Sequence, residues 1–298
     1  MRIERHQVGE PVLSATRTDF MSRIGRQVRA ASKGTRMDSR EWQFIADMFL
    51  EYLGALSAGT PALDGPEARA VLADATEAAA GAVAYAVYYG YDRFQISLDY
   101  VNFGMSYGIG EADEGEERSR VTSRELIDAF CLVILSDQAV RHGEAVSFAR
   151  DELGEGAGGD PAVELVSGLL IHVLNYVDDE TYPPSAQQKL AAVDAALDRI
   201  RQRAEQSGEG LRDHPYSVGL RTLRALVAED REAFDDGLTA LLLAHRAAPG
   251  TRPDSLLPLL PLALSALAYR GPGWTPAVDT DYLPRALVAG FEASDRRL

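Results

Sequence analysis

Two small groups of histidine and carboxylate side chains are the parts of this sequence that could bind a metal ion or transfer protons. His142 and Glu144 lie two residues apart, and His172 precedes the acidic run 178–180 by six residues. Neither group has the spacing of a ligand motif such as His-Glu-x-x-His, which places its ligands on one face of a helix. An enzyme would need His142, Glu144 and His172 to converge in one deep pocket. We therefore predict no metal site and no catalytic residue.

The single cysteine, Cys131, is the side chain that could supply a sulfur nucleophile. It lies inside the apolar run 129–135, where burial disfavours the thiolate that such chemistry requires. A buried structural thiol is therefore the interpretation that we prefer. The glycines between 154 and 159 precede a helix, but no strand precedes them, and the chain has no phosphate-binding loop. We predict no bound cofactor.

Aromatic residues are concentrated between residues 85 and 107, and an acidic run follows them. Since large aromatic side chains are usually buried, we predict that most of these rings pack in the core. Base stacking would lack electrostatic support, because Arg93 is the only basic residue in that range. A smaller set beside the acidic run has the composition of an interface hot spot. The predicted partner-binding residues are three tyrosines and five carboxylates: Tyr89, Tyr91, Tyr107, Glu111, Asp113, Glu114, Glu116 and Glu117.

The chain carries a formal net charge of -15, from 45 acidic and 30 basic residues. Such a charge repels nucleic-acid phosphates and anionic lipids and attracts a basic protein. We therefore expect a protein partner with a basic surface, no nucleic acid and no membrane, although acidity that only maintains solubility is the alternative. One cysteine cannot form an internal disulfide, and the N-terminus lacks the apolar segment of a secretory signal, so a cytoplasmic location is expected.

Apolar residues recur at helical spacing along most of the chain. Asp38 or Ser39, and later Thr122 or Ser123, are suited to cap helices, and Pro66 and Pro161 are suited to open them. The late apolar segment 256–268 contains two prolines and is shorter than the roughly 20 residues that cross a bilayer. The predicted helices are 16–31, 39–56, 67–89, 123–137, 141–153, 161–177, 185–206, 216–228, 234–245, 255–269 and 283–292.

The segment 93–105 has two periodicities at once. Phe94, Ile96 and Leu98 alternate with other residues as in a strand, whereas Ile96, Tyr100 and Phe103 fit one face of a helix. We predict a helix here. The fold class is then all-α, with ten to twelve helices packed as helical hairpins and partly solenoid-like toward the C-terminus.

The glycine-rich run near 154–160 is the candidate boundary between two subdomains of a single domain, 1–298. It would separate an N-terminal helical part, 1–153, from the helical hairpins of 160–298. No motif recurs with the 34-residue period of tetratricopeptide repeats, so the solenoid analogy rests on the hairpin pattern alone.

Three runs of this sequence, 81–89, 98–107 and 128–132, resemble the immunity protein 49 family of bacterial polymorphic-toxin systems. The similarity also includes the runs 1–6, 141–144 and 226–234. The resemblance implies a non-enzymatic cytoplasmic protein that binds a cognate toxin domain and blocks it. It supplies no set of binding residues, so the predicted interface depends on the tyrosines and the acidic run.

Three hypotheses for function follow. The first is toxin neutralisation, in which the acidic run meets a basic toxin surface such as the cleft of a nuclease. The second is a helical adaptor without a toxin partner, which binds a peptide through residues 211–298. The third is an enzyme of unrecognised type that uses His142, Glu144 and His172.

Overall fold

The computed structural model describes residues 1–31, 33, 37–110, 119–154, 157–176 and 182–291. Within these residues the chain forms eleven α-helices, two short 3-10 helices and one two-stranded sheet, so the all-α prediction is confirmed. The 3-10 helices are Leu211–Asp213 and Pro253–Leu256. The α-helices are α1 (Glu10–Ala31), α2 (Ser39–Gly59), α3 (Pro66–Tyr88), α4 (Ser123–Leu135), α5 (Ala139–Gly154), α6 (Pro161–Leu174), α7 (Ala186–Ser207), α8 (Pro215–Val227), α9 (Arg231–Ala247), α10 (Leu259–Arg270) and α11 (Arg285–Ala289).

Several helices begin at residues whose side chains satisfy the free amides of the first turn. The Asp38 carboxylate accepts hydrogen bonds from the amides of Arg40 and Glu41, at 2.9 and 3.0 Å, and the Glu41 side chain accepts from the Asp38 amide. Thr122 caps α4 through the same reciprocal arrangement with Glu125. These capping boxes fix the starts of α2 and α4 from local sequence alone.

The centre of the molecule is built from α2, α3 and α4. The α4 side chains Phe130, Cys131 and Leu132 are completely buried, as predicted for an apolar helix. Burial raises the pKa of the Cys131 thiol well above its ordinary value, so this cysteine is a structural thiol. By length and hydropathy α3 could cross a bilayer, but 83% of its most apolar window is buried inside the fold. A helix in the core of a soluble protein can have the same length and hydropathy.

The helix predicted for 93–105 is wrong, because this segment forms an antiparallel hairpin. Strands β1 (Phe94–Leu98) and β2 (Phe103–Tyr107) pair Phe94 with Tyr107 and Leu98 with Phe103. Of the two periodicities, the structure has the alternating one: Ile96 and Leu98 are 2% and 1% exposed on the face that packs against α3. Asn102 closes the turn with a φ of +49°, a conformation that asparagine tolerates better than most residues.

In the second half of the chain, α6, α7, α8 and α9 pack in succession against one another, and α10 packs on α4. One continuous hydrophobic core includes Val146 and Leu165, from either side of the glycine-rich run. The subdomain boundary near 154–160 stays a prediction. The first residues of the chain contact the segment between α10 and α11, since the Ile3 amide donates to the Asp279 carbonyl at 3.0 Å.

Candidate functional site

Tyr107 is a core residue, and its predicted role as an exposed anchor is wrong. It is 3% exposed, its hydroxyl accepts a hydrogen bond from Trp42 Nε1 at 2.6 Å, and it donates to the Met37 carbonyl at 2.9 Å. Burial raises the pKa of the Tyr107 phenol. The side chain therefore joins the hairpin to the start of α2.

The other two predicted tyrosines lie at the end of α3. Tyr89 is half-buried and stacks on Tyr85, with ring centroids 4.4 Å apart. Tyr91 is 69% exposed, as an interface anchor would need to be. The proposed role of Tyr89 and Tyr91 in binding a partner protein stays a prediction.

The five predicted carboxylates, Glu111, Asp113, Glu114, Glu116 and Glu117, lie outside the described residues. Their attachment point is described, because the backbone at Ile109 forms an isolated bridge with Gly90. The Gly110 amide also donates to the Gly90 carbonyl at 3.2 Å. The described residues just before the acidic run, Ile109 and Gly110, therefore lie next to Gly90, the neighbour of Tyr91 in the chain.

An exposed apolar face of α5 adds to this region; the helix itself was predicted as 141–153, but this face was overlooked. Val140, Glu144 and Phe148 are spaced four residues apart on α5, so they share one face of that helix. Val140 is 97% exposed and Phe148 is 44% exposed. This face could have been predicted from the spacing of Val140 and Phe148, which places them on a different side of α5 from the buried residues Ala145, Val146 and Ala149.

Tyr88 connects the hairpin with α5. Its ring lies 6.1 Å from that of Phe148 and 6.2 Å from that of Phe94, and its hydroxyl donates to Glu144 Oε2 at 3.2 Å. Burial and the neighbouring Glu144 raise the pKa of Tyr88. We call this region the hairpin–α5 surface and define it by six residues: Tyr88, Tyr91, Phe94, Ile109, Val140 and Phe148.

The hairpin–α5 surface concentrates exposed apolar side chains. Among the described residues, eleven large hydrophobic side chains are exposed, and four of them belong to it: Tyr91, Ile109, Val140 and Phe148. Single exposed hydrophobic residues are ordinary, whereas a group of them marks a surface suited to a protein partner. This concentration is the most distinctive exposed feature of the described residues.

The candidate catalytic residues make contacts with different partners. His142 Nε2 lies 3.3 Å from Glu77 Oε1 and 3.0 Å from Gln138 Oε1, whereas Glu144 binds Tyr88. Burial, and secondarily Lys189, lowers the pKa of His172 to about 4. The residues that the structure describes contain no group of three or more His, Cys, Asp or Glu side chains able to hold a metal ion.

Residues 104–108 match the letters Gly-x-Ser-x-Gly, a pattern that marks the nucleophile of many hydrolases. That nucleophile sits on a sharp turn from a strand into a helix. Here Ser106 is an exposed residue within β2, directly opposite Gln95 of β1. The local geometry is therefore that of an ordinary hairpin strand.

A cleft of about 740 Å³ between α2, α4, α9 and the segment before α10 collects several carboxylates. Burial raises the pKa of Asp128 to about 6, while the neighbouring Arg124 opposes this shift. Burial likewise raises the pKa of Asp47. Arg124 lies 3.6 Å from Asp128, and Arg252 lies 3.6 Å from Asp254. These arginines therefore partly neutralise the negative charge of the cleft.

The described residues define an all-α protein whose most distinctive exposed feature is an apolar and aromatic surface, the composition of a protein-binding site. The sequence profile of immunity protein 49 matches residues 63–287, and the chain therefore belongs to this family of immunity proteins. Comparisons with curated proteins and with solved structures gave no significant match. The matched range contains α3, the hairpin and α5, and so the whole hairpin–α5 surface.

Proposed function

We propose that this protein neutralises a cognate toxin by binding it, and that the hairpin–α5 surface and the adjoining acidic run form the contact. The proposal depends on one observation: four of the eleven large exposed hydrophobic residues among the described ones belong to the hairpin–α5 surface. An immunity protein needs a surface that a toxin can cover, and an apolar patch of this kind is suited to be covered.

The two parts of this contact have different physical roles. The net charge of -15, with five carboxylates between residues 111 and 117, attracts a basic toxin and accelerates encounter. Exposed aromatic anchors such as Tyr91 and Phe148, which the toxin would cover, then set the lifetime of the complex. A nuclease domain, whose substrate cleft is positive, is the toxin class that this charge suits best. Binding would take place in the cytoplasm of the producing cell and would require no catalysis.

Co-expression with the toxin domain encoded by the neighbouring open reading frame tests the proposal. Cells that carry both proteins should grow, and cells that carry the toxin alone should not. The purified proteins should form a stable complex, and substrates incubated with this protein alone should stay unchanged. Equal poisoning of the cells with and without this protein would refute neutralisation.

The acidic run is tested separately by charge reversal of Asp113, Glu114, Glu116 and Glu117 to lysine. Removal of the attraction should slow association with the toxin by about tenfold at low salt and flatten its dependence on ionic strength. Reversal of four carboxylates elsewhere (Asp194, Asp198, Glu205 and Glu209) is the control for net charge. Equal slowing in both variants would assign the effect to overall charge and refute a local contact.

A further inference from the structure

Four residues of α3, spaced seven apart, contact the hairpin along its length. The Glu67 carboxylate accepts a hydrogen bond from the Tyr100 hydroxyl at 2.7 Å, and Asp74 Oδ2 accepts from the Tyr100 amide at 3.0 Å. Further along the helix, Gly81 lies against Ile96, and the Tyr88 ring faces that of Phe94. We call these four residues the α3 docking row: Glu67, Asp74, Gly81 and Tyr88.

The lengths of the two elements match along this row. Seven residues make nearly two helical turns, so the four members share one face of α3. From Asp74 to Tyr88 the helix rises about 21 Å, and the six-residue step from Tyr100 in the turn back to Phe94 covers at most about 20 Å. Strand β1 therefore runs antiparallel to α3 and meets one member of the row near each of its ends.

Asp74 holds the turn of the hairpin. Its side chain is buried, with the residue 2% exposed, and it offers a carboxylate to the Tyr100 amide at the turn between the strands. Burial raises the pKa of Asp74 to about 6, while hydrogen bonds from the amides of residues 99, 100 and 101 oppose the shift. At neutral pH this carboxylate is ionised and accepts charge-assisted hydrogen bonds, which are stronger than neutral ones.

Gly81 sets the distance between the strand and the helix. A Cβ atom at this position would lie 2.6 Å from Ile96 Cδ1, 2.9 Å from Cγ1 and 3.0 Å from Cγ2. These separations are far below a van der Waals contact, so any larger residue at position 81 would push β1 away from α3. The glycine is therefore needed for close approach, and its backbone has no unusual torsion angle.

We infer that Asp74 and Gly81 are positioning residues for partner binding, because they fix the hairpin on α3 and so hold Phe94 and Tyr91 beside Tyr88. This inference rests on the proposed function, since it concerns the surface that the toxin would cover. Neither residue needs to touch the toxin. Both act through the placement of the hairpin.

A double-mutant cycle between positions 81 and 96 tests this role. The variants are Gly81→Ala, Ile96→Ala and the double variant, and the probe is the toxin domain encoded by the neighbouring open reading frame. Gly81→Ala should raise the Kd about tenfold through a faster dissociation rate, since the added methyl displaces β1. Ile96→Ala removes all three atoms that the methyl would strike, so the double variant should bind as tightly as Ile96→Ala alone. If the losses of binding free energy in the two single variants add up to the loss in the double variant, the inference is overturned.

Hydrogen exchange without toxin separates this inference from the proposed function. In Gly81→Ala the amides of β1 and β2 should exchange faster, those of α10 should not change, and the double variant should reverse the effect. If the wild-type protein does not bind the toxin, the proposed function fails and the toxin-binding role inferred here fails with it. If the wild-type protein binds and Gly81→Ala loosens the hairpin without weakening binding, only the positioning role is refuted.

Asp74 is tested by two substitutions of graded severity. Asp74→Asn keeps one oxygen acceptor for the Tyr100 amide, whereas Asp74→Ala removes the acceptor altogether. We expect the alanine variant to bind the toxin about tenfold more weakly and the asparagine variant to recover most of that loss. Equal binding by the wild type and the alanine variant would remove Asp74 from the positioning role.

Discussion

His6 Nδ1 lies 2.6 Å from the Tyr282 hydroxyl, so the N-terminal segment is tied to the far end of the described chain. The surrounding hydrogen bonds define which ring nitrogen carries the proton. The Ser255 hydroxyl donates to the Arg252 carbonyl at 2.6 Å, so it accepts from His6 Nε2–H at 3.0 Å. His6 Nδ1 then accepts from Tyr282. Both ring nitrogens are satisfied only in this neutral tautomer.

The first prediction is that this contact weakens as the pH falls. Burial lowers the pKa of His6, and the nearby His245 and Arg5 lower it further. Since the folded pKa lies below the unfolded value of about 6.5, the contribution of His6 is complete above that pH. It is lost as the pH falls through the folded pKa. The Tyr282 ring also lies near this imidazole, with ring centroids 5.7 Å apart, and Asp281 lies near the neighbouring Arg5.

Urea unfolding between pH 5 and pH 7.5 provides the measurement. His6→Gln keeps a neutral donor and acceptor, so its free energy of unfolding should depend less on pH than that of the wild type. His172, whose pKa is also lowered, is unchanged in both proteins and cancels in the difference. Parallel pH profiles for the two proteins would contradict the prediction.

The second prediction concerns the core hydrogen bonds of Tyr107. Tyr107→Phe removes the hydroxyl that pairs with Trp42 Nε1 and the Met37 carbonyl, and it leaves both groups buried without that partner. The expected loss is about 1–3 kcal/mol in the free energy of unfolding, measured in urea. Tyr182→Phe is the control, since Tyr182 is 77% exposed and its hydroxyl should contribute little. Equal stability of the two variants would show that the buried bonds contribute nothing net.

The third prediction concerns the ion pair between α6 and α7. Glu164 is 3% exposed and accepts hydrogen bonds from Arg199 Nε at 2.8 Å, Arg199 Nη2 at 2.6 Å and the Gly159 amide at 2.9 Å. Arg199→Ala leaves a buried carboxylate without its cation. Because the Arg199 side chain is 48% exposed, water can replace part of the lost interaction. We expect a loss of about 2 kcal/mol.

A matched control for this prediction lies on the same helix, two residues after Arg199. Arg201 pairs with Asp198 at 2.8 Å, but both side chains are about half exposed, at 54% and 52%. Exposed pairs of this kind typically contribute under about 1 kcal/mol, so Arg201→Ala should hardly change the unfolding curve. Similar losses for Arg199→Ala and Arg201→Ala would mean that the burial of Glu164 is irrelevant.

The fourth prediction separates the hairpin–α5 surface from exposed apolar residues in general. Tyr91→Ser and Phe148→Ser should each raise the dissociation rate of the toxin complex about tenfold, with little effect on association. Leu243→Ser on α9 is the control, because Leu243 is 45% exposed and Phe148 is 44% exposed. Surface plasmon resonance gives both rates. A Leu243 variant that dissociates as fast as the Phe148 variant would refute the assignment of this surface.

Much of the helical structure followed from short-range sequence features. The caps at Asp38 and Thr122 and the first-turn proline at Pro66 act within a single turn of helix. The buried state of Cys131 followed from the apolar run around it. Family membership was also readable from the sequence, since the profile match covers 63–287. These features need no knowledge of distant residues.

The hairpin and its surface could not be settled in that way. The short segment 93–105 fits the periodicity of a helix and that of a strand. It forms a hairpin in contact with α3, where Gly81 leaves room for Ile96 and the buried Asp74 carboxylate accepts a hydrogen bond from the Tyr100 amide. Tyr107 became a core residue because Trp42, 65 residues away, supplies its hydrogen-bond donor.

The sequence by itself determined most of the helices, because caps and apolar periodicity act between neighbouring residues. Only the tertiary structure decided which aromatic rings stay exposed, because exposure depends on what packs against a side chain from elsewhere in the chain. Val140 and Phe148 face solvent on α5 beside a hairpin contributed by another part of the sequence. Contacts between residues so far apart have no local pattern from which they could be predicted.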